Sequence, residues 1–178
     1  RSLVGSEMCI RDSYSYRMEP GRNLELLYPG TSYQTSQVKE YVQADYNEAE
    51  RILYSSRMTE DPNAWKETFD ADSLVNYYIL MEFLSINDAF GASTYFYRDA
   101  RGRLAIGPVW DFNNALDNFY RPLEENEFLL SQRSWYAMLM QDEEFVERVI
   151  SRYRQLRQGI LSEERLVAYE EEIVEWLG

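Results

Sequence analysis

Histidine is absent from the sequence, which excludes an imidazole general base, His-ligated zinc and any Ser-His-Asp triad. Acid-base work therefore falls to carboxylates. Cysteine occurs once, at Cys9, so there is neither an intramolecular disulfide nor a multi-cysteine metal cluster. Lysine is nearly missing as well, with Lys39 and Lys66 alone. No apolar run approaches the roughly 20 residues that span a bilayer, and the longest helical candidate is interrupted by Asn76, Glu82 and Ser85. Positive charge is scarce: 18 Lys and Arg stand against 31 Asp and Glu, a net charge of -13. Such a surface repels phosphate backbones and anionic lipid. The expectation is a soluble domain with no membrane span and no nucleic-acid partner.

What is present is enough for one core. The 178 residues are 45% apolar and 15% aromatic, within the range of a single domain. The first residue is Arg1, and residues 1–13 read as translated sequencing-adapter read-through at the end of a metagenomic fragment. The alternative is a natural disordered N-terminus. Arg1, Arg11, Glu7 and Asp12 within it cancel, so the net charge belongs to residues 14–178, the expected domain.

From Ser36, an expected N-cap, the residues Val38, Tyr41, Val42, Ala49, Ile52 and Leu53 recur at helical spacing. Asp72 to Ile86 is apolar almost all round, as a central helix should be. Thr94–Arg98 and Arg103–Ile106 flank Asp99-Ala-Arg-Gly102 and predict a two-stranded hairpin whose glycine supplies a positive φ. Beyond a loop rich in Pro, Asn and Glu, Trp135–Met140 reads as a short helix. Asp142 caps a longer helix with Phe145, Val149, Tyr153 and Leu156 on one face. Ser162 caps a last helix with Leu166, Tyr169, Ile173 and Leu177 expected inward. The fold class is therefore α+β, mainly α-helical, with one β-hairpin.

Two aspartates bracket that hairpin. Asp88 stands where the central helix ends and Asp111 where the second strand ends. A hairpin returns the chain to its starting point, so both carboxylates should reach one cleft and share a substrate or a metal. In protein kinases a catalytic-loop Asp orients the acceptor hydroxyl, and an Asp followed by Phe holds magnesium against the nucleotide phosphates. Asp111-Phe112 repeats the second element, with Asn113 where kinases have Gly, and Ser93 where they place a second metal-binding Asn after the catalytic Asp.

Asp72-Ser-Leu-Val-Asn-Tyr-Tyr-Ile-Leu-Met-Glu82, the Asp88 loop with Ser93-Thr-Tyr-Phe-Tyr97, Gly107-Pro-Val-Trp-Asp-Phe112 and Asp142-Glu-Glu-Phe-Val146 together resemble the CotH-like atypical kinases, a family named for a spore-coat kinase. The resemblance runs from about Tyr33 to the C-terminus. It implies the C-lobe-like part of an atypical protein-kinase fold, with Asp88 as the catalytic aspartate, Asp111 as the main Mg2+ ligand and Asn113 as a second. The family often has Asp at that last position, so one contact would be a neutral carbonyl here. Asn87 would orient the loop. The resemblance also implies ATP as donor, a protein substrate with Ser or Thr hydroxyls, and a secreted, cell-surface or spore-coat location in bacteria. The family's glycine-bearing phosphate loop and its phosphate-pairing lysine have no counterpart among these residues, so the chain alone is expected to be inactive.

Two other functions compete. A pseudokinase or binding module would keep the fold without turnover. A glycoside hydrolase would use the same carboxylate pair about 5 Å apart if retaining, or about 6.5–9.5 Å if inverting. Glu82, on an apolar helix, is expected to form a structural ion pair with an arginine such as Arg98. Tyr77, Tyr78, Tyr95, Phe96, Tyr97 and Trp110 are expected to be mostly core rather than a sugar platform, and Glu170-Glu-Glu172 a solvated helix face.

Overall fold

A computed structural model describes residues 8–13, 22–55, 60–61, 63–90, 94–99, 101–116, 118 and 128–178, with residues 8–13 and 22–25 described through their backbone. Four strands form an antiparallel sheet. They are β1 (Met8–Ser13), β2 (Arg22–Leu26), β3 (Thr94–Tyr97) and β4 (Ala105–Ile106), in spatial order β2-β1-β3-β4. The expected hairpin is β3–β4, with Phe96 opposite Ile106 and Tyr97 opposite Ala105. Its positive φ falls on Arg101 (67°), not on Gly102. The Gly102 amide instead reaches back to the Asp99 carbonyl at 2.8 Å, and a Cβ there would lie 3.2 Å from that same oxygen. Close approach, not handedness, calls for glycine at this turn.

Residues 1–13 were expected outside the domain, yet the backbone of β1 pairs with β3, Ile10 opposite Thr94 and Met8 opposite Phe96. A strand edge presents a row of backbone N–H and C=O groups, which an extended segment of almost any sequence can satisfy. Strand β2 was not foreseen either.

Helix α1 (Ser36–Tyr54) is capped by Thr35, whose hydroxyl accepts the Val38 amide, one residue ahead of the cap expected from sequence. It buries Tyr46, Ala49, Glu50, Ile52 and Leu53. Tyr41 turns out to be exposed, because the inner stripe passes through Val42 and Tyr41 lies about 100° away from it. A short helix, α2 (Ala64–Thr68), buries Trp65. Asp70 then caps α3 (Ala71–Phe83) by accepting the Ser73 amide at 2.7 Å. Leu74, Val75, Tyr77, Tyr78, Ile79 and Met81 are buried along α3, which packs against β4 and α5 as the spine of the domain. The helix stops at Phe83, short of the expected Ile86, because Ser85 takes the left-handed region with φ 54°.

Helices α4 (Ser134–Leu139) and α5 (Glu143–Arg157) follow, the latter capped by Asp142 through the Phe145 amide at 2.8 Å. Trp135 of α4 is the hub of the core, with ring centroids 4.7 Å from Phe96, 5.0 Å from Phe69, 5.2 Å from Phe90 and 5.6 Å from Tyr46. Its indole N–H donates to buried Glu50 at 2.9 Å. The hydroxyl of Tyr46 faces the same carboxylate, and burial together with that negative charge holds the phenol well above its ordinary pKa. Helix α6 (Glu163–Leu177) is capped by Ser162 as expected but buries no residue. Leu166 is half-buried, while Tyr169, Ile173 and Leu177, expected inward, are exposed. No helix among the described residues is long and apolar enough to cross a membrane.

Candidate functional site

The site is built from the two loops that leave the spine. After α3 the chain turns sharply: the Ser85 amide donates to the Glu82 carbonyl, Ile86 to Met81 and Ala89 to Ile86, at 3.0–3.2 Å. Ile86, Ala89 and Phe90 sink into the core. Asn87 and Asp88 are left half-buried between them. The far end of this loop is pinned through Tyr77, whose hydroxyl accepts the Phe90 amide at 3.1 Å and lies 3.1 Å from the Thr94 hydroxyl on β3. Burial, together with the nearby charge of Asp88, raises the Tyr77 pKa, so the hydroxyl keeps its proton.

The second loop leaves β4 through Gly107, whose amide extends the ladder to the Tyr95 carbonyl at 2.8 Å. Gly107 has φ 131°, a conformation L side chains rarely adopt. Trp110 then rests on Tyr95, centroids 5.2 Å apart. Asp111 takes the left-handed region (φ 64°, ψ 56°) and opens a single 3-10 turn, Phe112–Asn114. The Leu116 amide returns to the Leu84 carbonyl at 2.7 Å, tying the second loop to the first. Ser85, Phe90, Asp111 and Leu116 all have positive φ without being glycine. Concentrated strain of this kind marks loops held in place for a purpose.

Asp88 and Asp111 line one cleft, together with Tyr77, Met81, Ile86 and Val109. The hairpin thus brings both aspartates to one cleft. The enclosed space is about 10 Å³, roughly one water, so any larger group would have to sit at its mouth. Asn113 does not line this cleft. It is exposed, and its carbonyl accepts the Asn118 side chain at 2.6 Å. Its neighbour Asn114 does reach in, donating from its side-chain amide to Asp88 Oδ2 at 3.2 Å. That residue was not foreseen. In a 3-10 turn residues i and i+3 eclipse, which brings position 114 back over 111, and only knowledge of the turn type makes this readable. Arg133, also not foreseen, donates to the Asn87 carbonyl at 2.5 Å and steadies the Asp88 loop.

Glu82 is corrected. Its carboxylate accepts the amides of Leu129 and Leu130 at 2.8 and 2.6 Å, while Arg98 pairs with Asp45 at 2.8 Å. Two backbone amides ahead of α4 are a better partner than a distant guanidinium, because they would otherwise be unsatisfied. Burial raises the Glu82 pKa, and these amides with Arg133 pull it back in part. Its role is structural. Of the aromatic set, Tyr77, Tyr78 and Phe96 are core, Tyr95 and Tyr97 are half-buried, and Trp110 is exposed.

Neither lysine lines the cleft. Lys66 is bonded to Glu144, and Lys39 lies exposed in the first turn of α1. Among the described residues no three Asp, Glu, His or Cys side chains converge as a metal cage. Two aspartates lining one cleft nevertheless fit Mg2+, which takes one or two carboxylates and completes its shell with water and substrate phosphates. A larger cavity of about 440 Å³ adjoins the cleft, sharing Tyr77 and Val109 with it. Its Ser73, Asn76 and Tyr77 polar groups are engaged by Ile106, Arg152 and Thr94.

The family model described as CotH kinase protein matches residues 11–178. No curated protein and no solved structure matches the chain.

Proposed function

The chain belongs to the CotH kinase family, and we propose that it carries the catalytic and metal-binding aspartates of a kinase that transfers the ATP γ-phosphoryl group to Ser or Thr hydroxyls of secreted or surface proteins. The observation that carries this reading is the shared cleft of Asp88 and Asp111, reached from opposite ends of one hairpin. Asn114 holds Asp88 Oδ2, which leaves Oδ1 to accept the acceptor hydroxyl's proton. The hydroxyl's oxygen, its proton taken by Asp88, forms its bond to the γ-phosphorus as the bond from that phosphorus to the β–γ bridging oxygen breaks, and ADP departs with the electron pair.

Asp111 is the residue that would hold Mg2+; Asn113, expected as a neutral second donor, does not line the cleft and is not part of that set. Bound there, the ion would neutralise phosphate charge and hold the phosphates in register. Asp111 is suited to this by its exposure and its place at the head of the 3-10 turn. Orienting a triphosphate also takes a phosphate loop and a lysine, and no lysine lines the cleft. The 178 residues by themselves should therefore bind ATP weakly and transfer nothing until those groups are supplied.

The test is radiolabel transfer from ATP to a Ser/Thr-rich acceptor by a protein carrying these residues together with a nucleotide-binding half. Asp111→Asn should abolish metal-dependent turnover, and Asp88→Asn should leave nucleotide binding nearly intact while stopping transfer. Undiminished transfer by either variant overturns the assignment, as does robust transfer by the 178 residues alone. A non-catalytic reading draws on the neutral Asn113. Metal titration separates the two, since a pseudokinase need not bind Mg2+ through Asp111.

A further inference from the structure

The peptide bond that joins Asn87 to Asp88 is gripped from outside its own loop. Arg133, 46 residues further along the chain, donates from its guanidinium to the Asn87 carbonyl at 2.5 Å. A charged donor on an oxygen makes one of the stronger hydrogen bonds available to a protein. Because the peptide unit is planar, holding that oxygen fixes the plane from which Asp88 departs. Asn114 fixes the other end, at Oδ2 of the carboxylate.

Arg133 is itself held. Its amide donates to the Leu130 carbonyl at 2.8 Å and its carbonyl accepts the Ala137 amide at 3.2 Å, between Leu130 and Trp135, both fully buried. Leu130 and its neighbour Leu129 are the residues whose amides Glu82 accepts, and the charge of Arg133 favours that carboxylate in its ionised form. Glu82 stands in the last turn of α3, just ahead of the Asp88 loop. The spine therefore reaches the loop twice, once through the chain and once through Glu82, residues 129–130 and Arg133. We propose that Glu82 and Arg133 are positioning residues for phosphoryl transfer, Arg133 by fixing the Asn87–Asp88 peptide and Glu82 by aiming Arg133. Their effect on turnover rests on the kinase reading, whereas their hold on the loop does not. A shift of about 1 Å in a catalytic group can cost about a hundredfold in rate.

The hold is measured by residue-resolved hydrogen exchange on the 178-residue chain. Arg133→Met keeps the stem and removes the donors. The Ala89 and Phe90 amides, bonded to the Ile86 carbonyl and the Tyr77 hydroxyl, should then exchange at least about tenfold faster. Glu82→Gln should speed them less, and adding it to Arg133→Met should change nothing further, because Glu82 acts through Arg133. In a protein that carries these residues together with a nucleotide-binding half, Arg133→Met should lower kcat at least about tenfold with KM for ATP unchanged. Arg133→Lys restores a charged donor and should recover at least about threefold of that loss. Unchanged loop exchange in Arg133→Met, additive effects in the double variant, or a loss that falls on KM instead of kcat overturns the proposal. So does an Arg133→Met chain that no longer folds, since the role is then fold-wide and not local. If the unsubstituted two-part protein transfers nothing, the kinase reading falls, and loop exchange alone decides whether the pair holds Asp88 in place.

Discussion

Asn114 donates its side-chain amide to Asp88 Oδ2 at 3.2 Å, so the loop that presents Asp111 also holds Asp88. The Leu116 amide on the Leu84 carbonyl makes a second link between the same loops. If the two aspartates work as a unit, Asn114 positions the catalytic one. In a protein that carries these residues together with a nucleotide-binding half, Asn114→Ala should lower kcat about tenfold with little change in KM for ATP, the signature of misplacement rather than lost binding. Asn114→Asp should be worse, because it faces Asp88 with a like charge. Equal effects on kcat and KM would show that the whole loop had collapsed.

Trp135 tests the core. Replacing it with phenylalanine keeps most of the ring packing but removes the N–H that satisfies buried Glu50. The expected loss is about 1–3 kcal/mol, a drop in Tm of about 2–4 °C for each kcal/mol in a domain of this size. Thermal unfolding followed by circular dichroism measures it, and an unchanged Tm would mean that Glu50 finds another partner.

Glu82 gives a pH dependence of definite sign. Its folded pKa is raised by burial, so the folded state holds the proton more tightly than the unfolded chain does. Its contribution to stability is therefore full below the ordinary glutamate pKa of about 4.3 and is lost as pH rises through the folded value. Glu82→Gln cannot ionise. Relative to the parent, its Tm should improve from pH about 4 to about 7. A difference that stays flat or runs the other way would refute the burial-dominated shift.

Deleting residues 1–13 asks whether β1 belongs to the domain or fills an open edge. On the edge reading, the Tm of residues 14–178 should stay within about 2 °C of the parent. A fall of more than about 5 °C, roughly 1–2.5 kcal/mol, would make β1 an integral strand.

Local chemistry was enough to mark much of this protein in its sequence. Short-range rules identify Asp142 and Ser162 as caps, the turn between β3 and β4, and the all-round apolar α3, because each depends on neighbours within a turn or two. The meeting of Asp88 and Asp111 follows from the hairpin in the same way, since strand pairing fixes where the chain returns. What sequence could not give depends on partners far along the chain. Glu82 takes amides from Leu129 and Leu130, Arg133 holds the Asn87 carbonyl, and Trp135 gathers rings from α1, β3 and the Asp88 loop. The choice of Asn114 over Asn113 at Asp88 rests on one left-handed residue, Asp111. Helix α6 shows the limit most plainly. An amphipathic pattern determines that a face will be apolar, but only the tertiary structure decides whether that face is covered, because burial requires a surface placed opposite it.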